Sequence, residues 1–228
     1  RLEPAVFAII VAAALDGVDG RVARMLKGTS RFGAELDSLA DFVNFGVTPA
    51  LVLYSFVLHE LKSVGWIAVL VFAIAMVLRL ARFNVMLDTP NRPEWQKNFF
   101  TGMPAPAGAI TSLLPIYLHF PGVPIVDASV APIVLVYLLG LAFLMVSTIP
   151  VYSGKTIGKY VPRHWVLPIF VVSVALFGLL VSFPFEMLTA ITFLFLASIP
   201  VSVMRYRRLE RLEASTVKAG PDLPPPDA

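Results

Sequence analysis

Cysteine is absent from the 228 residues. Disulfides, thiolate metal ligands and cysteine nucleophiles are thereby excluded. Charge is scarce as well: Asp, Glu, Lys and Arg together make up 14% of the chain, where a soluble domain carries about a quarter. Histidine is limited to His59, His119 and His164, isolated from one another near the ends of apolar runs, so no zinc-ligand spacing exists. The chain opens on Arg1-Leu2-Glu3-Pro4, without an initiator methionine or the basic n-region of a signal peptide. The expectation is that the N-terminus is trimmed and that one more span precedes it. No internal repeat of fixed period occurs.

What is present is apolar. Hydrophobic residues make up 57% of the chain and the mean hydropathy is +0.80. Continuous apolar runs lie at 4–26, 33–58, 64–87, 103–120, 129–149, 165–183 and 185–204. A hydrocarbon core needs about 20 apolar residues per helix, so about seven spans are expected. The runs do not alternate at period two, which favours helices over a barrel. The reading is all-α, a polytopic transmembrane helical bundle. Trp66, Trp95 and Trp165 fall near predicted span ends, as an aromatic belt requires.

Charge sorts the connectors. Lys27 and Arg31 separate the first two runs; Arg79, Arg82, Arg92 and Lys97 lie at or after the end of the third. Lys155, Lys159 and Arg163 follow the fifth, and Arg205, Arg207, Arg208 and Arg211 follow the seventh. The intervening connectors hold only Lys62. This alternation obeys the positive-inside rule and puts the basic connectors in the cytoplasm. Residues 1–205 read as one membrane domain; residues 206–228 read as a basic, then proline-rich, disordered cytoplasmic tail. No nucleic-acid partner is expected.

Four aspartates interrupt the first two runs: Asp16, Asp19, Asp37 and Asp41. A charge at a span centre costs about 2.5–3.5 kcal/mol on translocon scales, and nothing in a purely structural helix offsets it. Asp16 and Asp19 are spaced i,i+3; Gly33, Asp37 and Asp41 are spaced four and four. Each set therefore occupies one helix face. A short connector makes the two helices antiparallel neighbours. Asp16 is then level with Asp41, and Asp19 with Asp37, across one polar cleft.

Four carboxylates need counter-charge, and Arg24 supplies only one unit. Divalent cations with oxygen ligands, Mg²⁺, Mn²⁺ or Ca²⁺, fit such a set. Paired ions suit displacement at phosphorus. Gly20, Ala23 and Gly33 keep the cleft floor low, although small residues also serve simply as packing contacts between bilayer helices. Arg24 can pair with a phosphate oxygen. The same carboxylates would also serve a cation channel or transporter.

The pattern Asp16-x2-Asp19-Gly20-x2-Ala23-Arg24-x8-Gly33-x3-Asp37-x3-Asp41 resembles the signature of the CDP-alcohol phosphotransferases, at all eight fixed positions. The resemblance implies transfer of a phospho-alcohol group from a CDP-linked donor to an alcohol, with release of CMP. It implies that the aspartates hold two divalent ions, Mg²⁺ or Mn²⁺, and that Asp41 acts as general base. It implies that Gly20, Ala23, Arg24 and Gly33 line the donor site.

Longer segments, Leu36 to Ala50, Arg79-Leu80-Ala81-Arg82-Phe83-Asn84, Gly102 to Pro106 and Ile149 to Lys155, resemble the bacterial membrane-spanning members whose donor is CDP-diacylglycerol and whose acceptor is L-serine. Asn44 and Met103 depart from that pattern. Arg79 and Arg82 become candidates for the serine carboxylate, or else are anchors that snorkel to the interface. Glycerol 3-phosphate, inositol phosphate and choline are the alternative acceptors. The resemblance further implies a homodimer in the bacterial inner membrane, among membrane lipids, with its site toward the cytoplasm.

Overall fold

A computed structural model describes residues 2–25, 30–87, 96–120, 129–152 and 163–219; for 19–25, 31, 87, 97, 163 and 214–219 it describes the backbone alone. Lys27, Arg92, Trp95, Lys155 and Lys159 lie outside the described residues, as do the side chains of Arg31, Lys97 and Arg163.

The described chain is helical almost throughout: α1 (Leu2–Met25), α2 (Arg31–Asp41), α3 (Thr48–Phe56), α4 (Lys62–Leu87), α5 (Ala105–Ser112), α6 (Leu114–His119), α7 (Ala131–Val146), α8 (Arg163–Ser182) and α9 (Pro184–Ala219). The all-α polytopic bundle is what the apolar runs predict. Four stretches are long and apolar enough to cross a membrane: Phe32–Phe56, Leu58–Met86, His164–Ser182 and Pro184–Glu213, with Ala131–Val146 a shorter apolar helix. Three of the seven apolar runs fall short of a full span: the fifth, α7, has 16 residues, and two others differ for visible reasons. The first, α1, carries the charges of its own motif. The fourth breaks at Leu113, just before Pro115 in the first turn of α6.

The second run is also not one regular helix. After Asp41 the backbone widens into a π-helical segment, Phe42–Val47, before α3 begins. Pro49 has no N–H to give, and its ring clashes with the carbonyl four residues back in a regular α-turn. Thr48 adds a hydroxyl bond to the Val43 carbonyl at 2.8 Å. Widening by one residue relieves the clash, and such segments recur at functional sites.

One short ribbon joins distant parts. Strand β1 (Phe99–Thr101) pairs antiparallel with β2 (Pro150–Tyr152), Phe100 opposite Val151. Runs of three residues are too short to show strand periodicity, so the sequence reading contained no strand. Gly102 ends β1 with φ +77°, a conformation that favours glycine, and its N–H donates to the Ile149 carbonyl at 2.9 Å.

The core sits where α3, α4, α5, α6 and α7 meet, around the fully buried Phe45, Leu53, Phe72, Met76, Met103, Tyr117, Leu138 and Met145. Helix α8 packs against α9 and otherwise exposes its apolar side chains. That fits a lipid-facing span, where burial from water comes from the bilayer. Helix α9 continues without a break through the composition change at residue 206 to Ala219; an arginine- and glutamate-bearing stretch is a sound helix former.

Candidate active site

Helix α2 starts on a cap. Ser30 stands at its N-cap, and its Oγ accepts a hydrogen bond from the Gly33 N–H at 3.0 Å. A side chain at Gly33 would meet that same Oγ at 3.1 Å, so glycine keeps the first turn open. From there Asp37 and Asp41 follow at helical spacing, and Asp41 is the last residue before the π segment.

The opposing carboxylate comes from α1. Asp16, Asp37 and Asp41 each bring one carboxylate oxygen into a group whose atoms all lie within 4.8 Å of one another. Asp16 and Asp41 are half-buried and Asp37 is exposed, so the group opens outward. This is the juxtaposition expected for Asp16 and Asp41. For Asp19, Gly20, Ala23 and Arg24 the structure describes only a helical backbone on α1. Their side chains lie outside the described residues.

A positive charge arrives from α4. Gly46, buried in the π segment, lets Met76 approach; a Cβ there would sit 3.0 Å from the Met76 Cβ and Cγ. One turn beyond Met76, Arg79 is buried, at 9% exposure. Its Nε donates to the Met103 carbonyl at 3.2 Å and its guanidinium carbon lies 5.1 Å from the centre of the Phe83 ring. Its charge acts on both Asp41 and Asp16. Its burial contrasts with the solvent-reaching head group of a snorkelling anchor.

Arg82 differs. Its Nη1 donates to the Val146 carbonyl at 2.6 Å and the Ser147 carbonyl at 3.1 Å, at the C-terminus of α7. Those are carbonyls that a helix end leaves without intrahelical partners. The two arginines, paired in the sequence reading, thus face different surroundings. Asn84, two residues on, donates from Nδ2 to Ser38 Oγ at 2.9 Å and ties α4 to the helix between the two aspartates. Sequence reasoning did not single out Ser38 or the Met103 carbonyl. The only hint was that both lie in segments quoted for their resemblance.

The donor set fits a hard divalent cation. Among the described residues three carboxylate oxygens converge without sulfur or imidazole, as Mg²⁺, Mn²⁺ and Ca²⁺ prefer. Arg79 alone, among the described residues, cannot balance three carboxylates, and the remaining negative charge suits a divalent cation.

Comparison with known proteins agrees with this geometry. Residues 1–149 match the CDP-alcohol phosphatidyltransferase family, and residues 164–200 match the family described as CDP-alcohol phosphatidyltransferase 2. A Mycobacterium leprae protein named CDP-diacylglycerol–serine O-phosphatidyltransferase is 43% identical over 210 residues, covering 91% of this chain and 68% of the relative. A Mycobacterium bovis protein of that name is 56% identical over 119 residues, covering 51% of this chain and 41% of the relative. One from Helicobacter pylori is 33% identical over 192 residues, covering 82% and 74%. The chain therefore spans about two thirds of the Mycobacterium leprae relative and well under half of the Mycobacterium bovis one. A match over residues 1–149, a range that holds all four aspartates, Arg79 and Arg82, means that the chain belongs to the CDP-alcohol phosphatidyltransferase family.

Proposed function

We propose that this protein is a CDP-diacylglycerol–serine O-phosphatidyltransferase, a phosphatidylserine synthase. The observation that carries the reading is the meeting of Asp16, Asp37 and Asp41 beside the buried Arg79. The names of relatives at 43% and 33% identity support serine as the acceptor.

Asp16, Asp19, Asp37 and Asp41 would hold two divalent ions, Mg²⁺ or Mn²⁺. When bound, such ions neutralise a diphosphate and stabilise CMP as a leaving group. The protein's own groups do the rest. Arg24, with Gly20, Ala23 and Gly33, receives the CDP end of the donor. The Arg79 guanidinium receives the serine carboxylate, a pairing to which its planar fork is suited. Asp41 takes the proton from the serine hydroxyl. The serine oxygen forms a bond to the lipid-bearing phosphorus as the bond from that phosphorus to the bridging oxygen breaks. The electron pair leaves with CMP. One displacement suffices, and no protein nucleophile is required.

Around this site we place a membrane domain, residues 1–205, and a cytoplasmic tail, residues 206–228, whose first part continues α9. The enzyme would sit in a bacterial inner membrane as a homodimer, with the aspartates toward the cytoplasm. The basic connectors support that orientation.

The test is CMP release from CDP-diacylglycerol by the purified full chain in detergent, with and without L-serine, for wild type and Asp41→Asn. Serine-dependent release that drops about 10²–10⁴-fold in Asp41→Asn is expected, the usual contribution of a positioned base. Release driven by glycerol 3-phosphate, inositol phosphate or choline would replace the acceptor. No release with any alcohol, together with cation flux in vesicles, would replace the enzyme by a transporter.

A further inference from the structure

Helix α9 leaves its apolar run at Met204 and carries Arg205, Arg207, Arg208 and Arg211 within the next two turns. One side of this stretch is fixed to the ribbon. Ser202 Oγ donates to the Pro150 carbonyl at 2.8 Å, the Arg205 guanidinium carbon lies 5.5 Å from the centre of the Tyr152 ring, and Tyr206 meets Phe99 edge-on at 5.3 Å.

The other side is open. At about 100° per residue, Arg207, Arg208 and Arg211 fall within an arc of about 100° pointing away from the ribbon. Met204 lies within that arc, and Leu212 lies at its edge, just beyond Arg208. Glu213 falls among the ribbon-side positions and Glu210 on the flank, so neither carboxylate lies within the arginine arc. Met204, Arg207, Arg208, Arg211 and Leu212 line one surface depression of about 360 Å³. All five are exposed, Met204 at 64% and Leu212 at 55%.

Three guanidinium groups converging on one depression suit a phosphate, which a guanidinium grips with two parallel donors. Exposed apolar residues at both ends argue against a purely aqueous ligand. They suit the boundary where headgroups give way to acyl chains. The depression lies in the last turns of the candidate membrane span Pro184–Glu213, past its continuous apolar run, where such a boundary falls. We propose that the Arg207–Arg208–Arg211 face of α9 is a binding site for the headgroup phosphate of an anionic phospholipid from the surrounding bilayer. The site shares no residue with the aspartate cluster and stands independently of the reaction assigned there.

The experiment is native mass spectrometry of the full chain in detergent, titrated with phosphatidylglycerol or with phosphatidylcholine of the same acyl chains. Wild type should retain phosphatidylglycerol at lower concentration than phosphatidylcholine. Each arginine near an anionic surface contributes about fivefold, so R207Q/R208Q/R211Q should weaken phosphatidylglycerol on the order of a hundredfold and abolish the preference. R207K/R208K/R211K, which keeps the charge, should retain a preference. Should the glutamine triple variant lose its thermal transition, the three single variants carry the same test at about fivefold each. An unchanged preference in the glutamine variants would overturn the proposal. So would displacement of the lipid by millimolar inorganic phosphate, which would make the site one for a free anion.

Discussion

Replacing Gly102 by alanine probes how the site is held from behind. Gly102 has φ +77°, a region that costs an L-residue about 1–2 kcal/mol. The new Cβ would lie 2.8 Å from both the Met145 and the Ser147 carbonyl oxygens, about 0.5 Å inside an ordinary carbon–oxygen contact. Both oxygens are backbone, and that of Ser147 already accepts from Arg82 at 3.1 Å, so neither can swing aside. Overpacking of this kind costs about 1–3 kcal/mol. The sum is a loss of about 2–5 kcal/mol in stability. The strain also reaches the proposed serine-binding group, because the next carbonyl, that of Met103, accepts from the Arg79 Nε at 3.2 Å. Misplacing a substrate-binding group by about 1 Å can cost about 10²-fold; a shift of half that size predicts a loss of about tenfold in serine-dependent kcat/KM. The assays are thermal unfolding in detergent and CMP release. Gly178→Ala is the control: no atom lies within 4 Å of a Cβ built there on α8. It should change stability by no more than about 1 kcal/mol, in the favourable direction. The reasoning fails if Gly102→Ala melts and turns over like wild type, or if Gly178→Ala is equally damaging.

Arg79 and Arg82 should separate kinetically. Arg79→Lys keeps the charge but loses the fork, so the KM for serine should rise about tenfold or more, whereas Arg82→Gln should lower stability by about 1–3 kcal/mol with the KM for serine unchanged. Equal effects on that KM would return Arg82 to the acceptor site. Chelation with EDTA should abolish CMP release, with Mg²⁺ or Mn²⁺ restoring it, and should lower the melting temperature of the substrate-free protein. An ion at about a hundred times its Kd stabilises by about 2.7 kcal/mol; a melting temperature indifferent to chelation would argue against a bound ion. A double-mutant cycle on Ser38→Ala and Asn84→Ala should show a coupling of about 0.5–1.5 kcal/mol in unfolding, and additivity would mean that their bond contributes nothing.

The aspartates were legible because the signal is twofold: their cost in a bilayer and their helical spacing. Both survive without any knowledge of tertiary structure, and Asp16, Asp37 and Asp41 indeed converge. The counter-charge was not legible in the same way. Arg24 lies on the motif's own helix and is the natural candidate from sequence. Arg79 reaches the cluster only because α4 packs against the π segment through Gly46 and Met76. That contact links residues thirty positions apart and leaves no periodic trace. Arg82 illustrates the same limit: positive charge at a predicted span end is equally consistent with an anchor, a ligand grip or the helix cap found here. The ribbon escaped because three residues per strand carry too little alternation to read.

The π segment explains why one face of the second run can serve both the chemistry and the core. Positions 37, 41, 45, 49 and 53 are separated by four residues each. In a regular α-helix of 3.6 residues per turn such a row precesses by about 40° at every step. Over four steps it would wind almost halfway round the helix. Asp37 and Asp41 would then face the α1 carboxylate while Pro49 and Leu53 turned out toward lipid. Instead Phe45, Pro49 and Leu53 are all buried. A wider turn rotates each residue by less than an α-turn does, so the Phe42–Val47 segment holds back the precession midway along the row. The aspartates at one end and the apolar core residues at the other thus remain on the same side. Pro49 makes that widening favourable, because it has no N–H to lose and its ring resists the tighter turn. Restoring an α-turn there would have to rotate either Asp41 away from Asp16 or Leu53 out of the core, and the buried Gly46, with Met76 against it, leaves no room for the segment to move as a whole.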